Sequence, residues 1–310
     1  VEETLDTDIV VLGGGAAGLT AGIKAIQGGA NVILLEKTGM TGGASAMAGA
    51  GTKATGSKWS IESGSTETPD DFIAAITANG HGKNDPATVK NFAYGIGAAF
   101  DWLVAEDGAA VPYGKKDTPS ASFSGDGRGA GVVKNLTAKF EEVGGTLLLS
   151  TPGTELIIDN GAVVGVKAEG NGKAYTINAK AVILATGGYG ASQEAIAKYS
   201  PKWAGIPSTT AAGNTGDGHA MLEAVGADLE QIDNVRLNPS VCSTGGAPVS
   251  LSAARTAGAI MVNTNGERFC DEYITDYTTL SGHMQAQEGG MCYLVMDQVS
   301  IDSSKRLQGF

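Results

Sequence analysis

Residues Asp8–Lys37 read DIVVLGGGAAGLTAGIKAIQGGANVILLEK, and this stretch decides the fold. Ile9–Leu12 is a short β-branched apolar run of the kind that forms a strand buried on both faces. Gly13, Gly15 and Gly18 then complete G-x-G-x-x-G. An alanine-rich segment from Ala16 to about Gln27 reads as a helix stopped by Gly28 and Gly29. Asn31–Leu35 supplies a second buried strand, ending at Glu36, eighteen positions after Gly18. Each part has a physical job. The glycines allow a tight turn and close backbone approach to a pyrophosphate, the helix N-terminus faces the negative charge, and the terminal acid accepts ribose hydroxyls. A lone G-x-G-x-x-G is a weak signal, but strand, loop, helix, strand and acid stand here in register. The pattern predicts a dinucleotide site in an α/β fold, with Gly13, Gly15, Ala16, Ala17, Gly18 and Glu36 among its contacts.

The chain has 310 residues, enough for two domains with separate cores. No run approaches the eighteen or more apolar residues of a membrane span. A net charge of -12 argues against nucleic acid and anionic membrane surfaces, and fits a protein that handles small molecules or docks on a basic partner. Cys242, Cys270 and Cys292 lie far apart with no C-x-x-C, so buried thiols are expected rather than zinc or a disulfide framework. His81, His219 and His283 have no metal spacing. His219 is expected to pack or face solvent from a helix, the other two to lie at the surface. The first residue is Val rather than Met, so a preceding segment is expected to have been removed, and any signal peptide is invisible.

Gly39–Gly56 is biased to Gly, Ala, Ser and Thr, and residues 57–70, SKWSIESGSTETPD, read as a polar surface loop. Asp85 and Pro86 form an N-cap and first-turn pair for a long helix. Phe92, Ile96, Phe100 and Leu103 predict its core-facing stripe. A helix over Val132–Val143 is closed by Gly144 and Gly145. Short strands follow at Thr146–Leu149, Glu155–Ile158, Val163–Ala168 and Tyr175–Ile177, with Asn160-Gly161 and Asn171-Gly172 as hairpin turns. This meander leads to a further buried strand, Ala181–Ala185, and the ATGG of Ala185–Gly188. A domain of repeated βαβ units for NAD would not need that interruption.

With these pieces stand TGGASAMAGAG at 41–51, NTGDGHAMLEAVGA at 214–227 and GAIMVNTNGERFCDE at 258–272. Together they resemble the flavoprotein subunits of fumarate reductase and succinate dehydrogenase. The resemblance is nearest to the soluble flavocytochrome-type fumarate reductases and urocanate reductase, and more distant to the 3-ketosteroid dehydrogenases. It implies a Rossmann-type FAD-binding domain with a β-meander at 1–237, followed by the start of an α+β cap domain at 238–310. It implies FAD as cofactor, with Thr41, Gly42, Gly43, Ala44, Ser45, Gly49, Ala50 and Gly51 wrapping backbone around the flavin. Only small side chains let backbone approach a planar ring so closely. Lys37, Thr154, Ala185, Thr186, Gly187, Asn214, Thr215, Gly216 and Asp217 complete the implied cofactor set. Ala44 stands near the place where membrane-bound members carry a flavin-attaching histidine, so the FAD is expected to be non-covalent.

The implied activity is reduction of an activated C=C bond, with hydride delivered from the flavin N5 to a small-molecule substrate. The alternatives are a ketosteroid-type dehydrogenase and a flavin-binding or electron-carrying module without substrate chemistry. The substrate side departs from the resemblance. Asn238-Pro239-Ser240 replaces an H-P-T segment, and Ser252 replaces an acid near the retained Arg255. Asp276 occupies the position of a proton-donating arginine, with Tyr277 next to it. The catalytic candidates are therefore Arg255, Asp276 and Tyr277. An electron-donor domain or protein, FMN- or haem-carrying, is the expected partner. Export is favoured over a cytoplasmic location, with the compartment left open. The resemblance puts Phe310 inside the cap, so the segment that completes the FAD domain is expected to lie beyond this chain, leaving the chain inactive alone.

Overall fold

The structure, a computed structural model, describes residues 1–49, 52–105, 108–114, 120–123, 128–242, 249–250 and 252–303. The chain divides into two compact units: Val1–Ala195 with Thr210–Glu230, and Ile196–Thr209 with Gln231–Phe310.

The first unit begins with β1 (Glu2–Leu12), α1 (Ala16–Gln27) and β2 (Val32–Leu35), the predicted βαβ unit. The apolar run Ile9–Leu12 is only the buried end of β1. The strand starts seven residues earlier, at Glu2, where polar and half-buried positions alternate. A short helix α2 (Gly43–Met47) and strand β3 (Thr52–Lys53) lead into α3 (Lys58–Glu62), α4 (Pro69–Asn79) and α5 (Pro86–Val104). The expected surface loop at 57–70 is thus corrected. Ser57 caps α3 by accepting the Ser60 N–H, and Trp59 is buried against Ala54 and Phe100. Thr68 and Asp71 form a reciprocal capping box that starts α4 with Pro69 in its first turn.

Asp85 caps α5 as expected, accepting the Thr88 N–H at 2.7 Å. The buried face of α5 is, however, Val89, Ala93, Gly97 and Phe100. Phe92 is 51% exposed and leans on Phe72 of α4 instead. Small residues face inward because α5 lies close to the Gly56–Ser57 backbone, where a large side chain does not fit. Two further strands, β4 (Tyr113–Gly114) and β5 (Ser120–Phe123), join β3 in a small antiparallel sheet ordered β3-β5-β4.

The remainder of this unit is α6 (Gly129–Glu142), β6 (Thr146–Leu148), β7 (Gly153–Asp159), β8 (Ala162–Gly170) and β9 (Lys173–Leu184). Its main sheet runs β6-β2-β1-β9-β8-β7. β6, β2, β1 and β9 are mutually parallel, whereas β9, β8 and β7 are antiparallel. The strands expected at Tyr175–Ile177 and Ala181–Ala185 are one strand, because β9 pairs with β1 along its whole length and with β8 over Lys173–Asn178. Asn160-Gly161 and Asn171-Gly172 form the predicted hairpin turns, all four residues with positive φ.

Alternation along β1 and β2 feeds two cores. Val10, Leu12, Ile33 and Leu35 pack with the meander residues Leu156, Val166 and Ile177. Val11, Val32 and Leu34 pack on the other face with Leu19, Ile23, Leu136 and Phe140 of the helices. Phe140 is fully buried, so Phe140→Ala would cost about 3–5 kcal/mol. α7 (Gln193–Tyr199) follows the sheet, and α8 (Asp217–Ala224) presents Met221 to the meander-side core.

In the second unit, β10 (Val241–Cys242) pairs antiparallel with β11 (Val249–Ser250). Then come α9 (Ser252–Thr256), β12 (Ile260–Val262), α10 (Tyr277–Gln285), β13 (Tyr293–Val295) and α11 (Gln298–Asp302). β12 and β13 are antiparallel partners. Cys270 and Cys292 are half-buried free thiols rather than fully buried ones, and the Cys242 side chain lies outside the described residues. No described helix is long and apolar enough to cross a membrane.

Candidate functional site

The turn after β1 is fixed by its neighbours. Gly13 has φ +107, and a Cβ there would strike the Ala185 carbonyl at the end of β9. A Cβ on Gly18 would strike the Gly13 carbonyl, so the turn can close only on glycine. α1 starts at Gly15 with no side-chain cap. Ser45 of α2 accepts the Ala16 N–H at 3.1 Å, and the Gly42 N–H donates to the Gly14 carbonyl at 2.9 Å. The Gly15 and Ala17 N–H groups donate to no described residue. Backbone donors at a helix N-terminus, beside the partial positive charge of its dipole, suit the diphosphate of a dinucleotide.

Glu36 ends β2 and is 8% exposed. Its Oε2 accepts the Gly14 N–H at 2.8 Å, and its Oε1 accepts the N–H and hydroxyl of Thr38, both at 2.8 Å. An ionised carboxylate offers about four acceptor positions, so one remains for a ribose hydroxyl. Lys37 turns the other way. Its ammonium donates to the Thr215 hydroxyl at 2.6 Å and to Asp217 at 2.7 Å, and Thr215 donates to the other oxygen of Asp217. Burial pushes the Asp217 carboxyl up, but Lys37 and the Thr215 hydroxyl outweigh it and hold the group below its ordinary 3.8.

The loops complete one continuous end of the parallel strands. Ala185 donates to the Leu12 carbonyl at 2.8 Å, and Thr186 packs against Gly218 at the start of α8. Gly187 lies against the Asn214 side chain, and Ala191 donates to the Asn214 carbonyl at 2.9 Å. Gly216 caps α8 in the left-handed region. Thr41 bonds Thr137 of α6 through their hydroxyls at 2.8 Å, while Gly43 and Ala44 are exposed on α2. Gly49 accepts from Arg128; Ala50 and Gly51 lie outside the described residues. Thr154 borders this group beside Asp217. It is exposed on β7 and shares with Asp217 and Met221 the lining of a cavity of about 800 Å³. His219 is half-buried in α8, edge-on to Tyr189, a packing role as expected. His81 and His283 are exposed. Among the described residues no cluster could hold a metal ion.

The catalytic candidates belong to the second unit. Glu272 is 1% exposed, clamped by Arg268 at 3.0 and 2.7 Å and by the Met261 N–H at 2.7 Å. Burial raises this carboxyl, and those donors bring it net below its ordinary value. Arg255 is buried, and its Nη1 donates to the carbonyls of Glu272 at 2.9 Å and Ile274 at 3.4 Å. Asp276 is the N-cap of α10, accepting the Thr278 N–H at 3.0 Å and the Thr279 hydroxyl at 2.6 Å. Tyr277 follows, with the Arg236 and Arg255 guanidinium groups 4.8 and 5.7 Å from its ring centre. Arg255 and Tyr277 are thus brought together. Sequence reasoning missed Arg236, although it lies two residues before Asn238-Pro239-Ser240. In that segment Pro239 and Ser240 are buried, and the Ser240 hydroxyl has no partner among the described residues.

Comparison with known proteins agrees with this fold. The chain is 34% identical over 297 residues to "Fumarate reductase (cytochrome)" of Shewanella frigidimarina, covering 94% of this chain and 52% of that protein. It is 32% identical over 311 residues to "Urocanate reductase" of Eggerthella lenta, covering 96% and 51%. The chain therefore spans about half the length of the curated relatives it matches. Among solved structures, the open conformation of a flavocytochrome c3 fumarate reductase superposes with a TM-score of 0.87 at 29% identity, covering 98% of this chain and 55% of that one. The model of the FAD binding domain family matches residues 8–305, and the chain belongs to that family.

Proposed function

We propose that this chain is the FAD-binding part of an oxidoreductase that reduces an activated C=C bond. One observation carries the reading. The Gly13–Gly18 turn, Glu36, the Ala185–Gly187 segment and the Asn214–Asp217 loop meet at one end of the parallel strands, in a chain 34% identical to a fumarate reductase. Residues 1–237 act as the FAD domain and 238–310 as part of a cap. The Gly15 and Ala17 N–H groups receive the diphosphate and Glu36 a ribose hydroxyl. Small residues from Thr41 to Ser45, with Gly49, lie along the flavin, and Ala44 leaves it unattached. Thr154 contributes at the edge of the site.

When bound, FAD supplies the hydride from its reduced N5. Tyr277 supplies the proton. Asp276 is already engaged as the cap of α10, accepting two hydrogen bonds. Arg255 acts as a positioning residue, pinning the two carbonyls that lead into α10. Fumarate and urocanate, named for two relatives, each carry a carboxylate conjugated to the C=C bond. We assign this chain's substrate to the same class, with electrons arriving from a donor domain or protein carrying FMN or haem, in an exported setting. The test is anaerobic reoxidation of the reduced holoprotein, in its longest natural form, against a panel of enoates. Oxidation by at least one enoate, with product reduced at the double bond, is expected. Flavin that stays reduced with every enoate would sink the reading and leave an electron-carrying module.

A further inference from the structure

Arg236 and Arg255 are drawn to the same aromatic ring, at 4.8 and 5.7 Å from the centre of Tyr277. Cation–π attraction holds each of them there, but two like charges gathered at one ring repel each other. Neither guanidinium forms an ion pair with a described residue. The acids of the adjoining segment are committed elsewhere. Glu272 holds Arg268 and the Met261 N–H, and Asp276 caps α10. Arg255 is 7% exposed, its Nη1 is spent on two carbonyls, and its Nε has no partner among the described residues. One turn beyond Tyr277 on the same face of α10, Ser281 is buried with a hydroxyl that also lacks a partner among the described residues. Buried donors without acceptors are costly, and two uncompensated positive charges beside them call for an anion.

We infer that Arg236, Arg255 and Tyr277 form an anion subsite that takes a carboxylate, with Arg236 as the residue that sets this preference. Guanidinium groups recognise a carboxylate through their planar fork of donors, and the Tyr277 hydroxyl adds another. Arg236 is exposed, so it can meet a ligand arriving from solvent, while buried Arg255 supplies fixed charge behind it. The inference rests on the reductase reading only in identifying the carboxylate as the substrate's.

The test is calorimetric titration of malonate into the FAD-loaded chain at low ionic strength, with malonamide as the uncharged counterpart. Malonate is expected to bind the parent, and Arg236→Gln to weaken it by about tenfold or more, the usual cost of a lost charge-assisted hydrogen bond. Malonamide is expected not to bind. Arg236 is exposed, so the variant should keep its fold, which retention of the parent's flavin spectrum checks. No malonate binding to the parent, equal affinity in Arg236→Gln, or equal affinity for malonamide each overturns the subsite. Enoate reoxidation of the longest natural form, with and without Arg236→Gln, judges the reductase reading separately. Arg236-dependent malonate binding without turnover keeps the subsite and discards the reading. Turnover with anion binding indifferent to Arg236 does the reverse.

Discussion

Replacing Glu36 by Ala tests the nucleotide end of the site on two independent scales. The carboxylate accepts three hydrogen bonds, from Gly14, from the Thr38 backbone and from the Thr38 hydroxyl. Of these donors the Gly14 N–H is buried, so the substitution strands it, at a cost of about 1–3 kcal/mol. Thr38 is more open, and its single hydroxyl proton is shared between Glu36 and the Met40 carbonyl, which keeps it when the carboxylate is lost. The FAD-free chain should therefore melt several degrees lower, at roughly 2–4 °C per kcal/mol for a domain of this size. FAD affinity should fall separately by about 1.5–3 kcal/mol, or roughly ten- to 150-fold, for the lost charge-assisted bond to a ribose hydroxyl. Thermal melts of deflavinated protein and fluorescence titration with FAD read the two effects apart. Glu36→Gln keeps the shape and one acceptor oxygen, so it should fall between parent and Ala on both scales. A lower melting temperature with unchanged FAD affinity would refute the ribose assignment. An unchanged melting temperature would refute the clamp on Gly14.

The Asp217 carboxyl is held below 3.8, so its stabilising contribution is complete above that pH and is lost as pH falls through the lower, folded value. The stability difference between parent and Asp217→Asn, measured by denaturant melts, should thus shrink as pH drops below 3.8; a difference flat in pH would mean the Lys37 clasp is absent in solution. Asn caps a helix about as well as Asp, so in the longest natural form Asp276→Asn should leave α10 and turnover close to the parent. In that form Tyr277→Phe should lower turnover about a hundredfold or more with FAD affinity intact; the opposite pattern would move the proton donor to Asp276. Acid precipitation should release yellow flavin into the supernatant, and colour retained in the pellet would contradict the non-covalent reading drawn from Ala44.

Where local chemistry dictates structure, the sequence was readable. The Gly13–Gly18 turn, α1 and β2 follow from glycine punctuation and apolar runs, and the Asn-Gly hairpins from positive φ. The first half of β1 was not readable, because Glu2, Thr4 and Asp6 look like loop residues and become strand only through pairing with β9, more than 160 residues away. The inward face of α5 was misjudged for a related reason. Phe92 is more apolar than Ala93 or Gly97, but the neighbouring Gly56–Ser57 backbone leaves room only for the smaller residues. In the candidate site, the place of Glu36 at the end of β2 was legible from its spacing, whereas the place of Arg236 was not. A single arginine carries no motif, and its meaning comes from the ring it shares with Arg255.

The double membership of β9 bears on how the chain is made. β7, β8 and the start of β9 are joined by two-residue turns, so this meander can form from local contacts within microseconds of its synthesis. β1 leaves the ribosome far earlier and can gain β2 beside it, but its other edge has no partner until Leu184 has emerged. At about 5–20 residues per second, that edge waits on the order of ten seconds. During the wait it presents an unpaired row of backbone donors and acceptors, the form of surface that invites pairing between chains. Glu2, Glu3, Asp6 and Asp8 line that edge with negative charge, so neighbouring nascent chains repel one another along it. Glu2 and Asp6, which hid the strand from sequence reading, are among its gatekeepers during synthesis.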